Sequence, residues 1–157
     1  MNKKLTLVLG ILLGLIVMGC DDDETSKSAL LSFAKTGCKT VASSRSADAG
    51  SLSDLYGEWA EAFLYEGTSD KGLFVTHQNA VFSCEADIKV TVNVEGRVIT
   101  ITEEATTGSN CLCPYDLTMK IGPLTEGLYQ VNIVKGNLDW FSFTIDYKPE
   151  VKGKEVM

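Results

Sequence analysis

Four cysteines are the residues of this chain best suited to covalent chemistry. The disulfide candidates Cys38, Cys84, Cys111 and Cys113 all lie beyond residue 30. Cys111 and Cys113 are two residues apart, so on a strand their side chains share a face and a bond between them would be strained. Each is therefore expected to pair with one of the other two, Cys84 or Cys38, and both arrangements stay open. We predict two structural disulfides.

The alternative for the same residues is a metal-dependent or thiol-dependent site built from His77, Cys84, Cys111 and Cys113. Three thiolates and an imidazole can hold zinc tetrahedrally, although zinc pairs are usually spaced Cys-x₂₋₄-Cys and this pair is closer. His77 and Cys84 are also an odd number of residues apart, which on one unbroken strand puts them on opposite faces. We therefore expect no metal and no cofactor.

Catalytic motifs are missing from the sequence. There is no Gly-x-Ser-x-Gly elbow, no His-Glu-x-x-His and no glycine-rich phosphate loop around the only histidine, His77. Neighbouring carboxylates, Glu58 with Glu61 and Glu103 with Glu104, could act as acid and base, but such neighbours are common in any acidic chain. We predict a protein that is not an enzyme and has no catalytic residues.

Aromatic side chains offer a second binding chemistry, because flat rings with polar rims stack on sugars. The candidates for a glycan-capture surface are Trp59, Trp140, Tyr56, Tyr65 and Tyr129. The alternative is that these rings belong to the hydrophobic core. Exposure distinguishes the two.

The N-terminus predicts export. Lys3 and Lys4 precede an uncharged stretch over residues 5–19, which is shorter than the roughly 20 apolar residues that a membrane-spanning helix needs. The junction at Val17, Gly19 and Cys20 resembles a bacterial lipobox, which implies lipidation of Cys20. Two or more acyl chains give stable anchoring, so a membrane is the expected partner through this lipid.

Length and composition predict that the rest of the chain forms one domain. Its 157 residues are 45% hydrophobic and 22% charged, which suits a globule. With 14 basic and 21 acidic residues the formal net charge is −7, so nucleic acid is excluded as a partner by repulsion from the phosphates. The predicted organisation is a signal peptide at 1–19, lipidated Cys20 with an acidic flexible tether at 20–28, a poorly defined segment at 29–57, a β-domain at 58–148 and a frayed tail at 149–157.

Alternation of apolar and polar residues carries the prediction of fold. Over residues 80–94 most apolar side chains share one parity, which indicates one buried and one wet face; they are Ala80, Phe82, Cys84, Ala86, Ile88, Val90, Val92 and Val94. Glu95-Gly96 is then the loop of a hairpin that places Val92 opposite Ile99. Further runs bring the count to about seven short strands with no helical period. We predict an all-β, antiparallel, immunoglobulin-like sandwich.

Several motifs resemble those of small uncharacterised surface lipoproteins of gut Bacteroidota. They are His77-x-Asn79-x-x-Phe82-x-Cys84, Cys111-x-Cys113 before Tyr115-Asp116, and Leu124-x-x-Gly127-x-Tyr129. Some of those chains have a further Cys where this one has Glu85. The acidic run after Cys20 is similar to their surface-export signal. The resemblance implies an outer-membrane lipoprotein exposed at the cell surface, but no activity.

Taken together, these features predict a lipid-anchored, non-catalytic protein that binds or scaffolds at the cell surface. Its expected partner is a surface protein or a glycan.

Overall fold

The structure is a computed structural model that describes residues 29–39, 60–106 and 111–157. The predicted signal peptide, Cys20 and its tether therefore lie outside the described residues. Tyr56, Glu58 and Trp59 also lie outside them. Where the chain is described, no helix is long and apolar enough to cross a membrane.

The described residues form nine β-strands and no helix. The strands are β1 (Leu30–Lys35), β2 (Ala62–Gly67), β3 (Leu73–Ser83), β4 (Ile88–Glu95), β5 (Val98–Ala105), β6 (Leu112–Ile121), β7 (Gly127–Lys135), β8 (Leu138–Tyr147) and β9 (Lys152–Val156).

These strands build two sheets that bury one core between them. The five-stranded sheet has the order β1-β6-β3-β2-β9, and the four-stranded sheet has the order β4-β5-β7-β8. Their inner faces carry mostly Ile, Val, Leu and aromatic side chains, and each such side chain contributes about 1.5–3 kcal/mol when it leaves water. The predicted all-β sandwich is confirmed. All strand pairs are antiparallel except β5 with β7, which are parallel because the chain crosses to the other sheet as β6 between them.

The apolar run at residues 80–94 belongs to two strands and not to one. β3 ends at Ser83, a turn follows at Cys84 and Glu85, and β4 starts at Ile88 in the opposite sheet. Glu85 takes a positive φ of 62° in this turn. The inward-facing residues keep the same parity through the turn because both sheets bury the same core. The alternation therefore gave no sign of the change of sheet.

The predicted hairpin register is wrong by two residues. Glu95 pairs with Val98, so the loop is Gly96-Arg97, and Val92 lies opposite Ile101 and not Ile99. Gly96 has a φ of 57°, the left-handed conformation that a two-residue hairpin loop requires at its first position. A slip of two residues leaves the same side chains inside, so the apolar pattern fits either register.

The C-terminal tail is not frayed as predicted, because residues 152–156 form the edge strand β9. This strand pairs with β2 from Ala62↔Val156 to Glu66↔Lys152. Its residues are mostly polar and partly exposed, as is common at an edge, so composition alone did not reveal it. The other end of the domain also extends further than predicted, since β1 lies within the segment 29–57 and pairs with β6.

Replacing Gly153 by valine is expected to weaken the docking of β9. A side-chain carbon at Gly153 would clash with the Tyr65 ring, which must then leave its place over the strand. We expect a loss of about 1–3 kcal/mol in the free energy of unfolding, the usual cost of overpacking. Urea denaturation measures this loss. The control is Lys154→Val, which adds the same side chain at the next, exposed position. Wild-type stability in Gly153→Val would contradict the prediction.

Candidate functional site

A bulge in β3 turns His77 into the core. The register between β3 and β6 shifts between His77 and Ala80, and within this shift Asn79 takes a positive φ of 60°. Val75 and His77 face inward before the bulge, and Ala80 and Phe82 face inward after it. The extra residue reverses the parity of the strand. His77 is therefore fully buried, with none of its surface exposed.

Two glutamates hold the buried imidazole from opposite sides. The Nδ1 atom of His77 lies 2.9 and 3.0 Å from the two carboxylate oxygens of Glu103. Its Nε2 atom lies 3.0 Å from Oε2 of Glu61. The Phe63 ring stacks on the imidazole with 4.1 Å between ring centroids. Because a carboxylate only accepts hydrogen bonds, both contacts are satisfied when the ring is an imidazolium that donates from both nitrogens.

The three residues of this Glu–His–Glu cluster come from both sheets. His77 is on β3, and Glu61 immediately precedes β2 in the same sheet. Glu103 reaches across from β5 in the opposite sheet and is fully buried. The cluster is thus a charged contact between the two layers of the sandwich.

The Glu61 carboxylate also contacts further N–H and ammonium groups nearer the surface. The backbone N–H of Val81 donates to its Oε1 atom at 3.3 Å, and the Nζ atom of Lys135 lies 3.6 Å from that oxygen. The indole Nε1 of Trp140 donates to Oε2 at 3.3 Å. Two carboxylates, one imidazolium and one ammonium therefore balance in charge.

The pKa values follow from these contacts. Burial is the largest influence on the pKa of His77 and lowers it, but the hydrogen bonds and negative charges of Glu103 and Glu61 together outweigh burial and raise this pKa above 6.5. For Glu61, burial is again the largest influence and raises the pKa. The hydrogen bond from His77, with the charges of Lys135 and His77, outweighs it and lowers this pKa below 4.5. Both directions favour the charged pair.

Beside this cluster the surface has a groove of about 510 Å³. Its lining residues come from β7 and β8, and are Asn132, Ile133, Asp139, Trp140, Phe141 and Ser142. They combine aromatic area with an amide, a carboxylate and a hydroxyl.

Trp140 is the more exposed of the two aromatic rings at this groove, with 43% of the residue exposed, whereas Phe141 is half-buried. It occupies an irregularity in the β7–β8 ladder, since Val134 pairs with Asp139 and Ile133 with Phe141. The bond to Glu61 holds one edge of the indole, and the Lys135 ammonium lies 4.8 Å from the ring centroid. The ring is therefore fixed before any ligand arrives.

The predicted disulfides are confirmed, and the pairs are Cys38–Cys113 and Cys84–Cys111. Their Cα–Cα distances are 5.6 and 5.4 Å, within the range that a disulfide spans. The first bridge ties the segment after β1 to β6. The second ties the turn between β3 and β4 to the residue before β6.

The structure brings some of the predicted site residues together and separates others. Three of the four proposed metal ligands, Cys84, Cys111 and Cys113, come together with Cys38, whereas both nitrogens of His77 face carboxylates. Of the candidate sugar-binding rings inside the described ranges, Trp140 is exposed, Tyr65 is half-buried and Tyr129 is buried. Trp140 is thus the candidate whose exposure fits the predicted role in glycan capture.

The carboxylates meet in a combination that neighbour spacing did not suggest. Glu61 and Glu103 share His77, whereas Glu104 is exposed. The signal was present in β5, where Ile99, Ile101 and Glu103 follow one another at alternate positions. An acidic residue at the third inward position of a strand indicates a buried partner of opposite charge.

Glu103→Gln is expected to lower the pKa of His77, because it removes the negative charge at Nδ1 while Glu61 remains. NMR titration of the imidazole measures this directly, since the chain has one histidine. The wild-type ring should titrate above 6.5. Glu104→Gln, at the exposed next residue, is the control and should match the wild type. An unchanged titration in Glu103→Gln would contradict the assignment.

The same variant is expected to change how stability depends on pH. Because folding raises the pKa of His77, its stabilising contribution is complete below about pH 6.5 and is lost as the pH rises through the native pKa. Because folding lowers the pKa of Glu61, its contribution is present above about pH 4.5 and is lost as the pH falls. Glu103→Gln should flatten the alkaline decline and cost about 3–5 kcal/mol near neutral pH, since it breaks a buried pair. Urea denaturation across pH tests both effects, and a profile parallel to that of the wild type would disprove the first.

No protein-family model, no curated protein and no solved structure matches this chain. The resemblance to Bacteroidota lipoproteins therefore stays a prediction from its motifs.

Proposed function

We propose that this protein is an exported, lipid-anchored surface protein that acts by binding carbohydrate in the groove beside Trp140. The observation that carries the proposal is the exposed but fixed indole at the edge of a groove of about 510 Å³. A groove of this size suits a small ligand such as one or a few sugar rings. Binding is the activity that we assign to this groove.

The chemistry of the groove matches a sugar. An indole face offers flat apolar area for the C–H face of a pyranose. Asn132, Asp139 and Ser142 supply donors and acceptors for hydroxyl groups. Asp139 and the formal charge of −7 disfavour acidic sugars, so the expected ligands are neutral glycans.

The buried cluster supports this role by positioning the indole. Glu61 accepts the Trp140 N–H while His77 holds the same carboxylate from within the core. Glu61 and His77 are therefore positioning residues for the groove. A ring that is already ordered loses less entropy on binding, which increases affinity.

Export is supported from a different direction. Two disulfides are typical of oxidising compartments and rare in the cytosol. The uncharged stretch before Cys20 and the acidic residues after it are the sequence features that favour a lipid anchor and a flexible tether.

Trp140→Ala is expected to weaken glycan binding about thirtyfold, because loss of a central aromatic anchor costs about 2 kcal/mol. A glycan array with the chain from residue 21 onward identifies a ligand, and calorimetry then gives the dissociation constants. Leu112→Ala is the control, since Leu112 is 70% exposed on β6 in the other sheet. Glu61→Gln should weaken binding less than Trp140→Ala. Lack of any glycan ligand, or equal affinities of Trp140→Ala and wild type, would contradict the proposal.

Cys20→Ser is expected to release the protein from the membrane. The substitution removes the sulfur that carries the acyl chains, so the chain should lose the lipid mass and leave the detergent phase. Intact mass and detergent-phase partitioning in the expressing bacterium measure both. Cys38→Ser is the control and should keep its lipid. Retention of Cys20→Ser in the detergent phase with an unchanged mass would disprove lipidation at this residue.

A further inference from the structure

The two disulfides lie against each other. Cys38, Cys84 and Cys113 have Sγ atoms that all lie within 4.8 Å of one another. Cys38 and Cys113 form one bridge, and Cys84 belongs to the other bridge, with Cys111. A sulfur released from the first bridge is therefore next to a sulfur of the second.

Solvent exposure differs among the four cysteines. Cys38 and Cys111 are exposed, Cys84 is half-buried and Cys113 has 2% of its surface exposed. The two exposed residues are the outer members of the two bridges. The buried residue, Cys113, is the inner member of the first bridge.

We propose that these four cysteines form a thiol–disulfide exchange site whose partner is an external thiol. The partner's thiolate attacks Sγ of Cys38, forms a mixed disulfide there and expels the Cys113 thiolate. The Cys113 thiolate attacks Sγ of Cys84, forms a Cys84–Cys113 bridge and expels Cys111, which takes up the proton that the partner lost. One thiol is consumed, one thiol appears at Cys111, and the number of disulfides is unchanged.

The direction of the second step follows from burial. A thiolate is disfavoured in an apolar interior and favoured where water solvates it. Cys113 lies beneath the sheet surface beside Phe82 and Tyr115, its neighbours in the buried face of β3 and β6. Transfer of the free thiol from Cys113 to Cys111 therefore moves it from the core to the surface.

Backbone contacts keep the cysteines in place while bonds change. The N–H groups of Thr36 and Lys39 donate to the carbonyls of Asp116 and Pro114, each at 3.0 Å. These bonds hold the segment around Cys38 against β6 after its bridge opens. The N–H of Cys84 donates to the carbonyl of Cys111 at 2.9 Å, which holds the second pair together.

The test maps the bonds after reaction with limiting thiol. The full chain carrying Cys20→Ser, oxidised, is mixed with one equivalent of reduced glutathione, quenched by acid and alkylation, digested and analysed by mass spectrometry. We expect glutathione on Cys38, a Cys84–Cys113 bridge and alkylation at Cys111. Alkylation at Cys113 with the Cys84–Cys111 bridge intact, or glutathione on Cys111 or Cys84, would overturn the proposal.

A parallel arm replaces glutathione by a peptide with a single cysteine, which separates a small-molecule partner from a protein thiol. Faster reaction by about tenfold or more with one of them identifies the source. The same three products are expected with either probe, and an absence of reaction with both would overturn the proposal.

The matched variant removes the second bridge by Cys84→Ser with Cys111→Ser. Glutathione should still reach Cys38, but alkylation should now remain on Cys113, since no acceptor is left. Should this variant fail to fold, the bond map of the parent chain decides alone. This experiment does not measure glycan binding, so its failure would contradict the exchange site and leave the proposed glycan groove unaffected.

Discussion

A buried imidazole needs a partner for each of its two nitrogens, and the stacking of the two sheets depends on how His77 meets this need. One partner, Glu103, comes from the opposite sheet, and the other, Glu61, comes from the same sheet. A buried polar group without a partner costs about 1–3 kcal/mol, and a charged one more. Apolar faces tolerate small displacements, whereas these bonds do not. The cluster therefore constrains the alignment of the sheets more strictly than the surrounding Ile and Val side chains.

The same constraint extends to the surface. Glu61 is held by His77 from below, and it holds Trp140 and faces Lys135 above. The bulge at Asn79 is the local device that allows this, because without it the parity of β3 would not place both His77 and Phe82 inside. A local irregularity in one strand thus determines both a core contact and the position of an exposed ring. The disulfides anchor the neighbouring segments to β6 independently of this cluster.

Alternation in the sequence was sufficient to identify most inward faces. In β6, Cys113 and every second residue up to Ile121 are buried as the pattern indicated, and β8 follows the same rule from Phe143 to Tyr147. It did not locate the hairpin loop after β4, because a slip of two residues keeps the parity. It also missed β9, because an exposed edge strand has no apolar face to read. The same alternation could have identified Glu103 as an inward-facing residue, because its parity matches that of Ile99 and Ile101.

Local chain chemistry was therefore enough to specify the all-β class, most of the buried faces and the presence of two disulfides. These depend on residue type and on spacing along a strand of period two. Pairing across the fold required the tertiary structure: the choice of Cys38–Cys113 over Cys38–Cys111, the meeting of Glu61 with Glu103 at His77, and the approach of Trp140 to Glu61. The physical reason is that such contacts join residues far apart in sequence. Sheet order and bulges set their distances, and no local pattern encodes either.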